Sequence, residues 1–66
     1  MQVQVNGSWR DVPDGATVAQ LLAALGTPGR GVAVALDGVV VRRGDWETAE
    51  VPRGASLEIL TAVQGG

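Results

Sequence analysis

Apolar and polar side chains alternate along residues 1–5, with valines on one face and glutamines on the other. This period of two predicts a strand with one buried face. Asn6-Gly7 comes next and is typical of a type I′ turn, in which both central residues have positive φ. A second strand over residues 8–12 then ends at Pro13-Asp14-Gly15, which has the composition of a turn. This segment therefore predicts a β-hairpin.

The apolar spacing then changes to a helical period, with aliphatic side chains at i, i+3, i+4 and i+7: Val18, Leu21, Leu22 and Leu25. Thr17 and Gln20 are spaced as a capping box at the start of this helix. Gly26 is placed for a left-handed cap at its end, and Pro28 prevents continuation. Because two turns of helix do not persist alone in water, we expect the leucine face to pack on a sheet.

The second half of the chain returns to strand-like patterns. Residues 32–36 alternate valine or leucine with alanine, which predicts a strand in the middle of the sheet. Asp37-Gly38 indicates a second tight turn, and residues 39–41 form the strand that follows it. Residues 42–48 have neither period, so we expect a loop or a single helical turn that holds Trp46.

Two further strands complete the predicted sheet. Residues 49–51 have the pattern of a short edge strand ended by Pro52, and residues 56–63 that of a long last strand. We predict an α+β fold, a mixed sheet of four to five strands with one short helix packed across one face, which resembles the ubiquitin-like β-grasp. Residues 1–62 are expected to form a single domain, and residues 63–66 a flexible C-terminal Gly-Gly tail.

The composition excludes several classes of site. The 66-residue chain has no cysteine and no histidine, so a zinc site is not expected and thiol and imidazole catalysis are excluded. Seven acids and five arginines give a net charge of −2 without a basic stripe, so we expect no nucleic-acid partner. The apolar runs are too short to span a bilayer and no signal peptide is evident, which predicts a cytoplasmic protein. Without a nucleophile–base pair or a pair of acids suited to proton transfer, we expect no enzyme activity, no metal and no cofactor.

A set of short segments follows the order of a known family: Val5-Asn6-Gly7, Gly15-Ala16-Thr17-Val18, Leu21-Leu22, residues 32–38, Val41-Arg42-Arg43 with Trp46, and residues 62–66. On these segments the chain resembles the ThiS family, the sulfur carriers of thiamine thiazole biosynthesis, over essentially its whole length. One departure is Arg42, because the family commonly has proline before the arginine that Arg43 matches.

The resemblance implies a reagent and not a catalyst. An E1-like adenylating enzyme of ThiF type would activate the Gly66 carboxylate with ATP. Sulfur from a persulfide donor would then displace AMP and leave a C-terminal thiocarboxylate. A thiazole synthase of ThiG type would take the sulfur from it.

The tail fits this chemistry on physical grounds as well. Glycine has no Cβ and tolerates all backbone regions, so Gly65 lets another protein approach closely. Val63, Gln64, Gly65 and Gly66 together reach about 13 Å when extended, enough to thread a narrow channel. The alternative is that the two glycines are a cloning scar or a disordered tail.

Leu60 and Ala62 are the candidate docking residues. In the last strand they share a face with Glu58, whose charge places that face away from the helix. An exposed leucine beside the tail would contact both partner enzymes, although single exposed leucines are also common without any role. Trp46 is expected to fill the edge of the core and Trp9 to be partly exposed.

Two other functions share part of this evidence. A carrier for molybdopterin or another thiocarboxylate pathway would have the same tail and fold. A ubiquitin-like interaction module or protein modifier joined through Gly66 belongs to another class, and the absence of lysine argues only against self-linked chains.

Overall fold

The computed structural model describes residues 1–27 and 30–61. Its elements are β1 (Gln2–Val5), β2 (Ser8–Asp11), α1 (Val18–Ala24), β3 (Val32–Leu36), β4 (Val39–Val41), a 3₁₀ turn (Arg43–Asp45) and β5 (Ser56–Thr61). The five strands form one mixed sheet in the order β2-β1-β5-β3-β4. Strand β1 is parallel to β5, and the other neighbours are antiparallel. The predicted mixed sheet with one short helix is confirmed.

Both predicted hairpin turns have the expected backbone. Asn6 and Gly7 have φ values of 51° and 84°, and Asp37 and Gly38 have φ values of 48° and 84°. Positive φ at both central positions defines the type I′ turn, whose twist matches that of the strands on either side. The turn chemistry of the sequence therefore fixes the two hairpins locally.

Helix α1 begins as predicted. The Thr17 hydroxyl accepts a hydrogen bond from the Gln20 N–H, and the Gln20 carboxamide accepts one from the Thr17 N–H, which completes the capping box. Gly26 has φ of 70°, the left-handed conformation expected after the last turn. Three of the four predicted apolar positions are buried and Leu25 is half-buried, so the helix packs its apolar face on the sheet.

The core lies between α1 and one face of the sheet. Its buried members are Val3, Val5, Val12, Val18, Leu21, Leu22, Val34, Trp46, Val51, Ala55 and Leu57. Trp46 is only 6% exposed, and its indole N–H donates to the Val41 carbonyl oxygen at 3.0 Å. Trp9 on the edge strand β2 is 58% exposed. Both expectations for the tryptophans are confirmed.

The prediction of an edge strand over residues 49–51 is wrong. Glu50 forms only an isolated bridge with Thr17. The Ala49 carbonyl accepts from the Val18 N–H, and the Val51 N–H donates to the Ala16 carbonyl, so this segment pairs with the chain entering the helix. The buried side chain of Val51 ties the segment to the core at that position, away from the edges of the sheet.

Some predicted boundaries differ by one residue or fall outside the described part. Strand β1 begins at Gln2 and β2 ends at Asp11, each one residue inside the predicted range. Strand β5 is described as far as Thr61, so its predicted continuation to Val63 lies outside the described residues, as does Pro28.

Candidate functional site

Strand β5 is the last described element before the C-terminal residues. It lies in the centre of the sheet, between β1 and β3, and its last described residue, Thr61, is paired with Val32. A strand bonded on both sides has few ways to move independently of the sheet. The predicted site residues Ala62, Val63, Gln64, Gly65 and Gly66 come directly after it and lie outside the described residues.

Asn6 holds the last part of β5 through its side chain. Its Nδ2 donates to the Ile59 carbonyl oxygen at 3.1 Å, and its Oδ1 accepts from the Ile59 N–H at 2.8 Å. The backbone N–H of Asn6 also donates to the Leu57 carbonyl at 2.9 Å. The carboxamide thus continues the β1–β5 pairing beyond the end of β1. The sequence predicts the turn at Asn6 but not this contact, because the contact depends on pairing with a strand 53 residues away.

Leu60 lies on the sheet face that is turned away from the helix, as predicted. Its side chain is 65% exposed, and its cross-strand neighbour is Ala33. The next pair along this face is Ala35 and the strongly exposed Val40. We call these four residues the outer apolar strip. Because alanine is small, the Leu60 side chain projects further from this face than Ala33 and Ala35 do.

Trp9 is on the same face but does not join this strip. Its cross-strand partner is Gln4, which in turn is paired with Ser56. A polar band that also includes Glu58 therefore separates the indole from Leu60. Trp9 and Leu60 therefore belong to different parts of this face.

An open cleft of about 360 Å³ lies at the same end of the molecule, on the helix side of the sheet. Its lining includes Asn6, Arg10, Leu25, Ile59 and Thr61. Arg10 is exposed although its register position, opposite Val3, is on the helix side. The sequence signal that could have marked this arginine is its inward-facing position on the edge strand β2.

The charged contacts of the described residues are at the other end of the molecule. The Met1 amine lies 3.1 Å from Asp14 and 3.5 Å from Asp11, and Arg53 lies 3.3 Å from Asp14. A hydrogen bond from the Met1 amine and its positive charge lower the pKa of Asp14, and Arg53 lowers it further. The side chains of Asp11, Asp14 and Arg53 are exposed, so the pairs contribute little to stability at neutral pH.

Within residues 1–27 and 30–61, no acidic cluster is arranged to hold a metal ion. In the same residues, no helix has the length and apolar character needed to cross a membrane. Ser8 and Ser56 lie on strands of a chain that has no histidine to activate a hydroxyl, and the Ser56 N–H donates to the Asp37 carboxylate. The notable features of the described surface are the outer apolar strip and the cleft beside Arg10.

Comparison with known proteins supports this interpretation. The ThiS family profile matches residues 3–66. A crystal structure of the thiamine biosynthesis protein ThiS from Geobacter metallireducens is 32% identical, with a TM-score of 0.86 over 100% of both chains. A solution NMR structure of a thiamine biosynthesis protein from the same organism is 33% identical, with a TM-score of 0.81 over 100% of this chain and 88% of the other. No curated protein sequence matches the chain significantly.

The extent of the profile match and the similarity of the whole fold point to the same family. Its members have the ubiquitin-like β-grasp fold, and they interact in general with ThiF-like and ThiG-like partners. The chain therefore belongs to the ThiS family, whose members are small sulfur carrier proteins of thiamine biosynthesis and not enzymes.

Proposed function

We propose that this protein carries sulfur as a thiocarboxylate on Gly66, formed after adenylation of the Gly66 carboxylate. The observation that carries the proposal is the family match, which continues through the last two glycines to Gly66. The position of β5 supports it, because a central strand bonded on both sides presents the following residues from a fixed base.

The chemistry proceeds by activation and substitution. The Gly66 carboxylate attacks the α-phosphate of ATP, and pyrophosphate leaves, which gives an acyl-adenylate. The terminal sulfur of a persulfide donor then attacks the acyl carbon and AMP leaves. A second thiol cleaves the resulting acyl disulfide, leaving the thiocarboxylate on Gly66 and a disulfide on the donor. Thiazole synthase consumes the thiocarboxylate sulfur and returns the carboxylate.

An adenylating enzyme of ThiF type must surround the carboxylate closely during the first step, because an unactivated carboxylate is a poor electrophile. We propose that Val63, Gln64 and Gly65 thread its active-site channel. A side chain with a Cβ at position 65 obstructs this channel without touching the core. The β-grasp domain itself needs no change in shape.

We further propose that Leu60 and Ala62 dock on the adenylating enzyme and on thiazole synthase. The exposure of Leu60 and its place at the end of the outer apolar strip support this role. An exposed apolar side chain whose neighbours are small can enter a pocket of a partner and bury most of its area there.

Intact-mass spectrometry tests the carrier chemistry. The purified protein is incubated with ATP, the adenylating enzyme and a persulfide donor, and we expect a mass shift equal to one oxygen replaced by sulfur, located at Gly66. Gly65→Val should give an unchanged thermal unfolding curve and no shift. A wild-type protein that stays unmodified in the complete system would disprove the carrier chemistry. Normal conversion of Gly65→Val would disprove the threading argument alone.

A matched pair of variants tests the docking role of Leu60. Leu60→Asp introduces a charge on the outer face, whereas Val39→Asp makes the same kind of change at a similarly exposed valine whose register places it on the other face. We expect Leu60→Asp to weaken binding to the adenylating enzyme by roughly tenfold or more, since a buried leucine contributes about 1.5–3 kcal/mol. Val39→Asp should bind like the wild type. Equal affinities of all three proteins would rule out the docking role.

A further inference from the structure

The arginines are distributed unevenly between the two ends of the sheet. We call the end where β5 reaches Thr61 the tail end, and the end where β5 begins at Ser56 the opposite end. Arg10 is paired with Val3 near the start of β1, but its exposed side chain lines the same cleft as Thr61 and so reaches toward the tail end. Arg30 belongs there too, because it precedes by two residues Val32, the partner of Thr61.

A third arginine reaches the tail end from the other edge of the sheet. Arg42 directly follows Val41, and Val41 is paired with Val34 in the half of β3 that begins at the tail end. All three arginine side chains are exposed. We call Arg10, Arg30 and Arg42 the basic rim.

Several acids lie at the opposite end. Asp11 is paired with Gln2 at the start of β1, and the Gln2 carbonyl accepts from the Gly54 N–H just before β5. Asp37 is bonded to Ser56 at the start of β5. The ion pair of Asp14 with Arg53 belongs to this end as well. Arginines thus outnumber acids at the tail end, where Asp45 follows Arg42 in the 3₁₀ turn, and acids are more frequent at the opposite end.

This separation matters because of the distance. Six residues of strand span about 17 Å, whereas the electrostatic screening length at physiological ionic strength is about 8 Å. A partner that approaches the tail end therefore responds mainly to the basic rim, although the whole chain has a net charge of −2. The local charge is opposite in sign to the total charge.

The charges of the rim are not neutralised within the described residues. The ion pairs formed there involve the Met1 amine and Arg53, and in residues 1–27 and 30–61 no ion pair or side-chain hydrogen bond involves Arg10, Arg30 or Arg42. These solvated arginines form no contact that stabilises the described part of the fold. An oppositely charged partner would turn this arrangement into an attraction.

We infer that the basic rim docks on a carboxylate-bearing surface of the adenylating enzyme, around the entrance of the channel that receives the tail. This inference rests on the proposed function. Five residues, 62–66, reach about 17 Å when extended, so the rim meets the outer surface while Gly66 reaches the nucleotide inside. The rim aligns the carrier tail-first and speeds productive encounter, and Leu60 contributes contact area after docking.

Stopped-flow association with the adenylating enzyme tests the inference through charge reversal. The rim variants are Arg10→Glu, Arg30→Glu and Arg42→Glu, singly and combined. Arg53→Glu makes the same charge change at the opposite end, on an exposed side chain, and serves as the matched control. Rates are measured from low to high ionic strength, folding is checked by thermal unfolding, and adenylate formation is measured at saturating carrier. Arg→Gln variants replace any rim variant that fails to fold.

We expect the combined rim variant to associate at least tenfold more slowly at low salt, with a weaker dependence on salt, while Arg53→Glu stays within about twofold of the wild type. Adenylate formation at saturating carrier should be unchanged in Arg53→Glu. Equal slowing by Arg53→Glu, or no slowing in the rim variants, would overturn the inference and leave the carrier function intact. A wild-type protein that is never adenylated would overturn the proposed function, and this inference with it.

Discussion

The first residue of each hairpin turn also fastens one end of β5. Asn6 has φ of 51° and bonds Ile59 near the C-terminal end of β5 through both atoms of its carboxamide. Asp37 has φ of 48° and accepts from the Ser56 N–H at 2.9 Å at the other end. Asn and Asp tolerate positive φ and have short polar side chains, so in each turn a single residue provides both the turn conformation and the contact with β5. The strand that leads into the tail is thereby fixed at both ends.

At the residue scale, Asn6→Gly separates the two roles of Asn6. Glycine keeps the positive φ of the turn but removes both side-chain hydrogen bonds to Ile59. We expect a loss of about 1–2 kcal/mol in the free energy of unfolding, measured by urea denaturation, from the lost hydrogen bonds and the added chain entropy. Hydrogen exchange of the Ile59 amide should become faster as well. Gly7→Ala is the control for turn strain, since it keeps the Asn6 side chain. Unchanged exchange at Ile59 in Asn6→Gly would show that the carboxamide does not hold the strand.

Helix α1 depends on packing more than on its own propensity. It has only seven residues, too few to persist alone, and neither acidic nor basic side chains complement its dipole. Its capping box satisfies the first turn, and its buried side chains face the valines and Leu57 of the sheet. The stability of the helix and that of the sheet are therefore parts of one transition.

At the element scale, Leu21→Ala tests this dependence. Leu21 is fully buried, whereas Leu25, one turn later, is only half-buried at the end of the helix. We expect Leu21→Ala to cost about 3 kcal/mol, a large share of the stability of a domain of this size. Leu25→Ala should cost less than half as much. During unfolding, the helical circular-dichroism signal and the burial of Trp46 should be lost at the same midpoint, which would confirm one transition. Separate midpoints for the two signals would contradict it.

The elements predicted correctly are those whose pattern is local. The two type I′ turns, the capping box and the alternation of β3 all depend on neighbouring residues, and each is present in the structure. The segment around Glu50 was mispredicted because its partner, Thr17, lies 33 residues earlier in the chain. The cleft beside Arg10 arises where the helix, the hairpin and β5 meet, and no local pattern signals it. The Glu50 segment and the cleft could not be predicted because they depend on contacts between distant parts of the chain and not on the preferences of neighbouring residues.

At the scale of the whole molecule, the two ends of the sheet differ in their charged and exposed side chains. The opposite end joins the chain start to the turn before the helix through the Met1 amine, Asp14 and Arg53. The tail end carries exposed arginines and Leu60, next in sequence to the residues that we propose enter the adenylating enzyme. The ion pairs of Asp14 and the surface proposed for binding thus lie at opposite ends of the sheet.

The dependence of stability on acidic pH tests the contact between the Met1 amine and Asp14 at the opposite end of the sheet. The Met1 amine, and then Arg53, lower the pKa of Asp14 in the folded protein. A carboxyl group with a lowered folded pKa stabilises the fold above its unfolded pKa of about 4, and this contribution is lost as the pH falls through the folded pKa. We expect the melting temperature of the wild type to fall more steeply between about pH 5 and pH 2 than that of Asp14→Asn. Acetylation of the Met1 amine removes its charge and should flatten the profile in the same way, while Glu58→Gln changes an exposed acid on the outer face and should keep the wild-type slope over this range. Should Asp14→Asn and the acetylated protein both retain the full wild-type slope, the contact between the amine and Asp14 does not stabilise the fold.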